Sequence, residues 1–287
     1  MKLFRWKKSR VGKSALLLLP IVLFLILFFV LPYIVILALS FLKEGVAGLT
    51  WANYRRVLLD VYYFKVLFNT FLLGIGVTFL TLILGYPCGY FIAKTRSSLK
   101  GFLMFLVISP LLVSIIIRSY GWMIILGRTG LVNTLLGSLG LINEPLKLMY
   151  NWTGVVIGMT QVLLPFMILS ISSVIENIGQ ELTEMSEILG ATKFQTFVGV
   201  ILPLSLDGIA SGCIIVFMLT LGSFVTVMVL GGNTMVMSLL IYQQVLNVMD
   251  FNLASTIGTI LLVTTLIFLY FQVKLIKRKG IGYAAKT

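Results

Sequence analysis

The sequence predicts an all-α integral membrane protein with six transmembrane helices and both termini on the cytoplasmic side. Three observations carry this. Of 287 residues, 59% are hydrophobic and only 11% charged, and the mean hydropathy is +1.09. Soluble domains do not have this composition. Six apolar runs are each long enough to cross the bilayer core, which takes about 20 helical residues. The 22 basic residues are divided unevenly between the segments that separate those runs.

The first run covers residues 15–42 behind a basic start. It resembles a signal sequence but is too long for a cleaved apolar region, and it shows no small-x-small cleavage site, so it reads as a retained span. Pro20 and Pro32 are expected to bend it. Gly12-Lys13-Ser14 resembles the end of a phosphate-binding loop. Lys7 stands where that pattern requires glycine, so no nucleotide site is expected in this chain.

The other spans are expected at 66–93, 101–126, 152–175, 206–230 and 253–276, giving one transmembrane domain over 1–287. The segment 43–65 carries Trp51, Tyr54, Tyr62 and Tyr63, suited to the membrane interface. The apolar stretch 131–142 is expected to lie flat on the outer surface, and 235–248 to form a short re-entrant or surface helix. Gly85 with Gly89, Gly154 with Gly158, and Gly208 with Gly212 have the four-residue spacing that lets helices approach closely.

Orientation follows the basic residues. With both ends inside, the cytoplasmic segments hold fifteen Lys and Arg, the outer segments hold six, and Arg118 lies within a span. The basic clusters are then topology signals and contacts to lipid headgroups, and no nucleic acid partner is expected.

The same composition excludes much chemistry. There is no His. Cys88 and Cys213 lie in apolar runs and read as small buried residues rather than a disulfide or metal pair. Asp207 and Asp250 fall at the ends of spans, so no carboxylate is placed inside the membrane for proton coupling. Hence no catalytic residues and no metal or cofactor are expected in this chain, and energy for moving a solute must come from another subunit.

Arg118 is the clear charge within a span. Snorkelling to headgroups competes with a gate or pore-wall role. Ser119, Tyr120, Gly121 and Trp122 make its surroundings polar and aromatic, and Gly222-Ser223-Phe224-Val225-Thr226 interrupts the fifth span in a similar way. Facing weak points of this kind could line a path, to which Tyr90 and Tyr242 are also assigned.

The polar stretch 176–203 is the anomaly. It holds four of the nine acidic residues, in a cytoplasmic position where the other segments are basic. It reads as two short helices around Gly190, with Asn177 and Gln180 as a capping box for the first, Thr192 capping the second and Pro203 at its far end. The acidic face of Glu181, Glu184 and Glu187 points to a protein partner rather than a lipid surface.

Glu184-Met-Ser, three residues, Gly190, nine residues, then Val200-Ile-Leu202-Pro203 resembles the EAA motif of permease subunits in binding-protein-dependent ABC importers. Glu184, Gly190, Leu202 and Pro203 match the pattern. Met185 and Ser186 replace its two alanines. Gly85-Tyr-Pro87, Arg118-Ser-Tyr-Gly-Trp122, Gly127 to Asn133, Leu164-Pro165-Phe166 and Ser223-Phe-Val-Thr226 before Leu230-Gly-Gly232 are similar to the spermidine/putrescine-type branch. The resemblance implies a type I ABC importer fold in the bacterial inner membrane. It implies a pore made with a second permease or a copy of this one, and a loop that couples to a cytoplasmic ABC ATPase dimer. It implies ATP and Mg bound by that ATPase, and an extracytoplasmic binding protein that delivers the solute. Coupling residues are then expected at Glu184, Leu189, Gly190, Ala191, Phe194, Phe197, Leu202 and Pro203. The expected solute is a polyamine or another small organic molecule. A channel or carrier independent of ATP is the competing class.

Overall fold

The computed structural model describes residues 19–42, 48–95 and 99–284, with backbone alone at residue 180 and at 275–284. The basic residues at 2–13, the segment 12–18, Lys43, Arg96 and Lys286 lie outside the described residues. The helices are α1 (Leu19–Ser40), α2 (Ala52–Leu59), α3 (Val61–Lys94), α4 (Leu99–Leu112), α5 (Ile115–Leu126), α6 (Leu131–Ser138), α7 (Trp152–Glu176), α8 (Gln180–Ile188), α9 (Lys193–Leu204), α10 (Leu206–Gly222), α11 (Val225–Leu230), α12 (Met237–Gln243) and α13 (Phe251–Ala284).

Among the described residues five helical segments are long and apolar enough to cross a membrane, namely α1, α3, α5 taken together with α6, α7 and α13, and six if α9 and α10, bent by 56° at Ser205, count as one. The centre of the bundle is α3, α7 and α10, which pack on one another more extensively than any other helices. Small residues permit this. A methyl group at Gly85 would lie 2.8 Å from Met167 Cγ, at Gly89 3.1 Å from the Ile168 carbonyl, and at Gly212 2.6 Å from Met167 Sδ. Gly158 serves the contact of α7 with Leu230 and Thr226 of α11, while a methyl at Gly154 would lie 2.6 Å from the Leu148 carbonyl and 3.5 Å from the Leu230 carbonyl. All three glycine pairs therefore sit at helix crossings, as their spacing implies. At Gly208 a methyl would meet the Ser170 carbonyl and Val174 Cβ, both at 3.0 Å. Gly208→Val is expected to lower stability by about 1–3 kcal/mol through overpacking, read as a fall in melting temperature of the detergent-solubilised protein.

A second layer joins α1, α2, α12 and α13. Thr256 of α13 donates to the Ser40 carbonyl at 3.0 Å, and Ser40 Oγ pairs with Tyr54 of α2 at 2.7 Å. Val57, Tyr63, Met237, Leu253 and Ile257 fill the space between.

Two prolines leave the same signature. Five-residue π turns, Ile26–Val30 and Phe197–Ile201, precede Leu31-Pro32 and Leu202-Pro203, and in each the residue before proline bonds five residues back. Proline has no N–H to give and its ring crowds the carbonyl four residues earlier. Widening the turn by one residue moves that carbonyl aside. The residues that precede Leu19-Pro20 lie outside the described ones.

Several expectations need correction. The span placed at 101–126 is not one helix. It ends in a 3-10 turn at Ser109–Leu112, breaks at Val113 and restarts at Ile115, where Ser114 Oγ accepts from the Ile116 N–H. Pro110 and the capping Ser114 explain the break. The span placed at 206–230 is broken at Ser223, as the sequence suggested. Residues 231–252 turn back into the bundle. Met237 to Leu240 are buried, and the Met237 N–H donates to Thr70 Oγ1 at 2.8 Å. Asn177 caps nothing at α8. It ends α7, donating to the Ser173 carbonyl, and Gly179 precedes α8. Cys88 is exposed on α3, not buried, because the buried face of that helix is taken by Gly85, Gly89 and Ile92.

Candidate functional site

The stretch 176–203 folds as a compact helix–turn–helix at one end of the bundle. An ion pair between Lys100 and Glu176, at 3.0 Å, ties the start of α4 to the end of α7 just before it. Gly190 has φ +89. Its N–H donates to the Glu187 carbonyl at 2.9 Å, and the Ala191 N–H to the Ser186 carbonyl at 3.1 Å. These are the two bonds of a Schellman ending, and glycine supplies the positive φ without steric cost. One residue later Thr192 opens α9 with a reciprocal capping box, its Oγ1 accepting from Gln195 N–H while the Gln195 side chain accepts from Thr192 N–H. The two devices back to back define the angle between α8 and α9.

The faces of this unit are inverted. The side of α8 turned inward is small and polar. Ser186 Oγ lies 3.0 Å from Thr196 Oγ1 of α9, and Thr183 Oγ1 is buried beside it in sequence register. The outward side is apolar. Met185 is 60% exposed, Ile188 83%, Leu189 85% and Phe194 75%. Glu181, Glu184 and Glu187 stand exposed alongside. The two departures from the family pattern are thus accommodated differently. Ser186 replaces a small packed residue with one that hydrogen-bonds across the turn, and Met185 faces outward where size is free.

Phe197 does not share that outward face. It is half-buried, and its ring meets the edges of Tyr86 and Tyr90 of α3 at 5.9 and 5.5 Å. Leu202 and Pro203 are half-buried at the end of α9.

The residues assigned to a path fall into separate places. Tyr90 belongs with Phe197, at the loop end of α3. Arg118, Tyr120 and Trp122 lie on α5, which packs against α11 and α7. Arg118 is half-buried, with Nε and Nη1 enclosed and no hydrogen-bond partner for either among the described residues. Tyr120 is exposed, and Trp122 Nε1 donates to Gln161 Oε1 at 3.2 Å. Thr226 is fully buried, 3.4 Å from Ser119 Oγ. At the break in the fifth span, the Ser223 carbonyl accepts from Ser238 Oγ at 2.9 Å, and Phe224 stacks on Tyr242 at 4.7 Å. Backbone freed inside a membrane must find such partners. Sequence reasoning passed over Tyr86, Gln161, Thr196 and Ser205. Gln161 was findable as a rare amide inside an apolar run.

Against known proteins, residues 85–280 match the model of the binding-protein-dependent transport system inner membrane component family. The chain belongs to this family. It is a multi-pass permease of the inner membrane. It is similar to the spermidine/putrescine transport system permease protein PotB of Escherichia coli (strain K12), at 34% identity over 265 residues covering 90% of this chain and 96% of the relative. Among solved structures it resembles a chain of a bacterial ABC transporter involved in the import of the acidic polysaccharide alginate, with TM-score 0.73, 20% identity and coverage of 93% and 96%. The same alginate transporter in complex with its alginate pentasaccharide-bound periplasmic protein gives TM-score 0.72 at 19% identity, covering 94% and 95%. The likeness to the alginate transporter chains, at 20% and 19% identity, shows a shared fold.

Proposed function

We propose that this permease imports a polyamine of the spermidine/putrescine class, driven by ATP hydrolysis in a separate subunit docked on residues 176–203. The solute class rests on the 34% identity to PotB across nearly the full length. The driving subunit rests on the inverted α8–α9 unit, which presents Ile188, Leu189 and Phe194 outward with none of the described residues packed over them. An exposed apolar patch of this kind, flanked by carboxylates, is a docking face. The loop and both termini are then cytoplasmic, where the ATPase dimer binds ATP and Mg. A second permease, homologous or identical, completes the pore, and a binding protein delivers solute from outside.

Purified with its neighbours, the complex is expected to hydrolyse ATP faster when a spermidine-loaded binding protein is added. Cells lacking other polyamine importers should regain labelled spermidine uptake with it. Failure of the ATPase to copurify with the permease would remove the driving-subunit reading.

One observation favours a second solute class. Arg118 Nε and Nη1 are enclosed with no acceptor among the described residues, and the spans carry carboxylates only at their ends. An organic acid would answer that charge better than a polycation. Uptake competition by a panel of amines and carboxylates decides between them.

A further inference from the structure

We propose that Phe197, Tyr86, Tyr90 and Ser205 form the joint through which movement of the 176–203 loop enters the bundle core. The proposal rests on the reading of that loop as an ATPase-docking unit. Phe194 and Phe197 lie three residues apart on α9, about 4.5 Å along the axis. Phe194 faces outward and Phe197 inward. Whatever presses on the outer face is therefore one helical turn from α3.

The inner contact is built for transmission. Tyr86 and Tyr90, four residues apart, share one face of α3. Both pack on the central core cluster. Phe197 meets both tyrosine rings nearly at right angles, at 78° and 85°. Edge-to-face contacts of this type contribute about 0.5–1.5 kcal/mol each beyond the area they bury. Phe197 also opens the π turn, a segment already widened to accommodate Pro203. Such turns recur at functional sites.

The second link is polar. Ser205 is fully buried at the 56° bend between α9 and α10. Its hydroxyl donates to the Leu202 carbonyl at 3.0 Å. With that proton committed, the 3.0 Å contact to Tyr86 has the tyrosine hydroxyl as donor and Ser205 Oγ as acceptor. A chain of two hydrogen bonds thus runs from α3 through Ser205 to the last turn of α9. A change in the bend angle must either break this chain or carry Tyr86 along. Tyr86 lies next to Gly85, seated on Met167 of α7, so its displacement reaches the centre of the bundle. Phe197, Tyr86, Tyr90 and Ser205 are positioning residues. None of them needs to touch solute or ATP.

The test uses the whole complex in proteoliposomes, with its ATPase, its second permease and a solute-loaded binding protein. ATP hydrolysis and labelled spermidine uptake are measured together. Phe197→Ala is expected to retain the ATPase on purification while raising ATP consumed per solute moved by at least about fivefold, within the usual range of coupling between sites. Phe197→Tyr, which keeps the ring, is expected to restore the ratio. Tyr86→Phe keeps the ring and packing but loses the bond to Ser205, and is expected to give an intermediate ratio. An unchanged ratio in both Phe197→Ala and Tyr86→Phe overturns the joint. So does a loss of uptake in Phe197→Ala that tracks only the amount of folded protein, with Tyr86→Phe unchanged. If the unaltered permease fails to hold the ATPase, the docking reading itself falls, a result separate from any change in the ratio.

Discussion

Gly190→Val is expected to abolish solute uptake while the permease still reaches the membrane in normal amount. The reason is conformational. At φ +89 a residue with a side chain is strained, by about 1–2 kcal/mol in the left-handed region, and a β-branched one more so. Space is not the obstacle, since a Cβ at this position meets nothing within 4 Å. Relief of the strain breaks the bonds from Gly190 and Ala191 to the end of α8. Leu189 and Phe194, on either side of the turn, then no longer present one surface. A graded series follows, with Asn the mildest, Asp and Ala between, and Val the most severe. Uptake normalised to membrane level, measured beside ATPase copurification, checks the order. Wild-type transport in Gly190→Val would show that the turn has no part in coupling.

Replacing Leu189 and Phe194 together by Ala is expected to strip the ATPase from the purified complex without destabilising the permease. Both side chains are among the most exposed apolar groups of the described residues and pack against almost nothing among them. Their removal therefore costs little folding free energy, within about ±0.5 kcal/mol as for other surface changes. At a docked interface, a central apolar anchor is worth about 2 kcal/mol or more, which is roughly 30-fold in affinity. The pair of measurements is a melting temperature that does not move and a dissociation constant for the ATPase that rises by at least about that factor. Undiminished ATPase binding would mean that the acidic residues or another surface carries the docking.

The same loop shows which features were legible beforehand. Gly190 and Thr192 were readable because their requirements are local: a positive φ, and a hydroxyl three residues before a Gln. Asn177 was misread because the residues around it satisfy two local rules at once, ending one helix or starting the next. The end of α7 claimed it, since Asn177 found the Ser173 carbonyl within reach. The break near Ser114 was masked by hydropathy, because a span interrupted at a proline and a serine stays apolar on average. Cys88 was taken as buried for the same reason: in a membrane chain, an apolar run does not say which of its faces meets lipid and which meets protein.

The sequence by itself determined the membrane class, the presence of several apolar spans, the glycine notches where they cross and the family, because these depend on composition, length and fixed spacing. Only the tertiary structure decided that the outward face of α8 is apolar and its inward face polar, that Phe197 turns from that outward face toward Tyr86 and Tyr90, and that Arg118 Nε and Nη1 are enclosed with no partner among the described residues. The physical reason is that burial of a given side chain is set by residues far away in the chain. Tyr86 and Ser205 are 119 positions apart and meet at 3.0 Å, and no periodicity within either helix encodes that meeting.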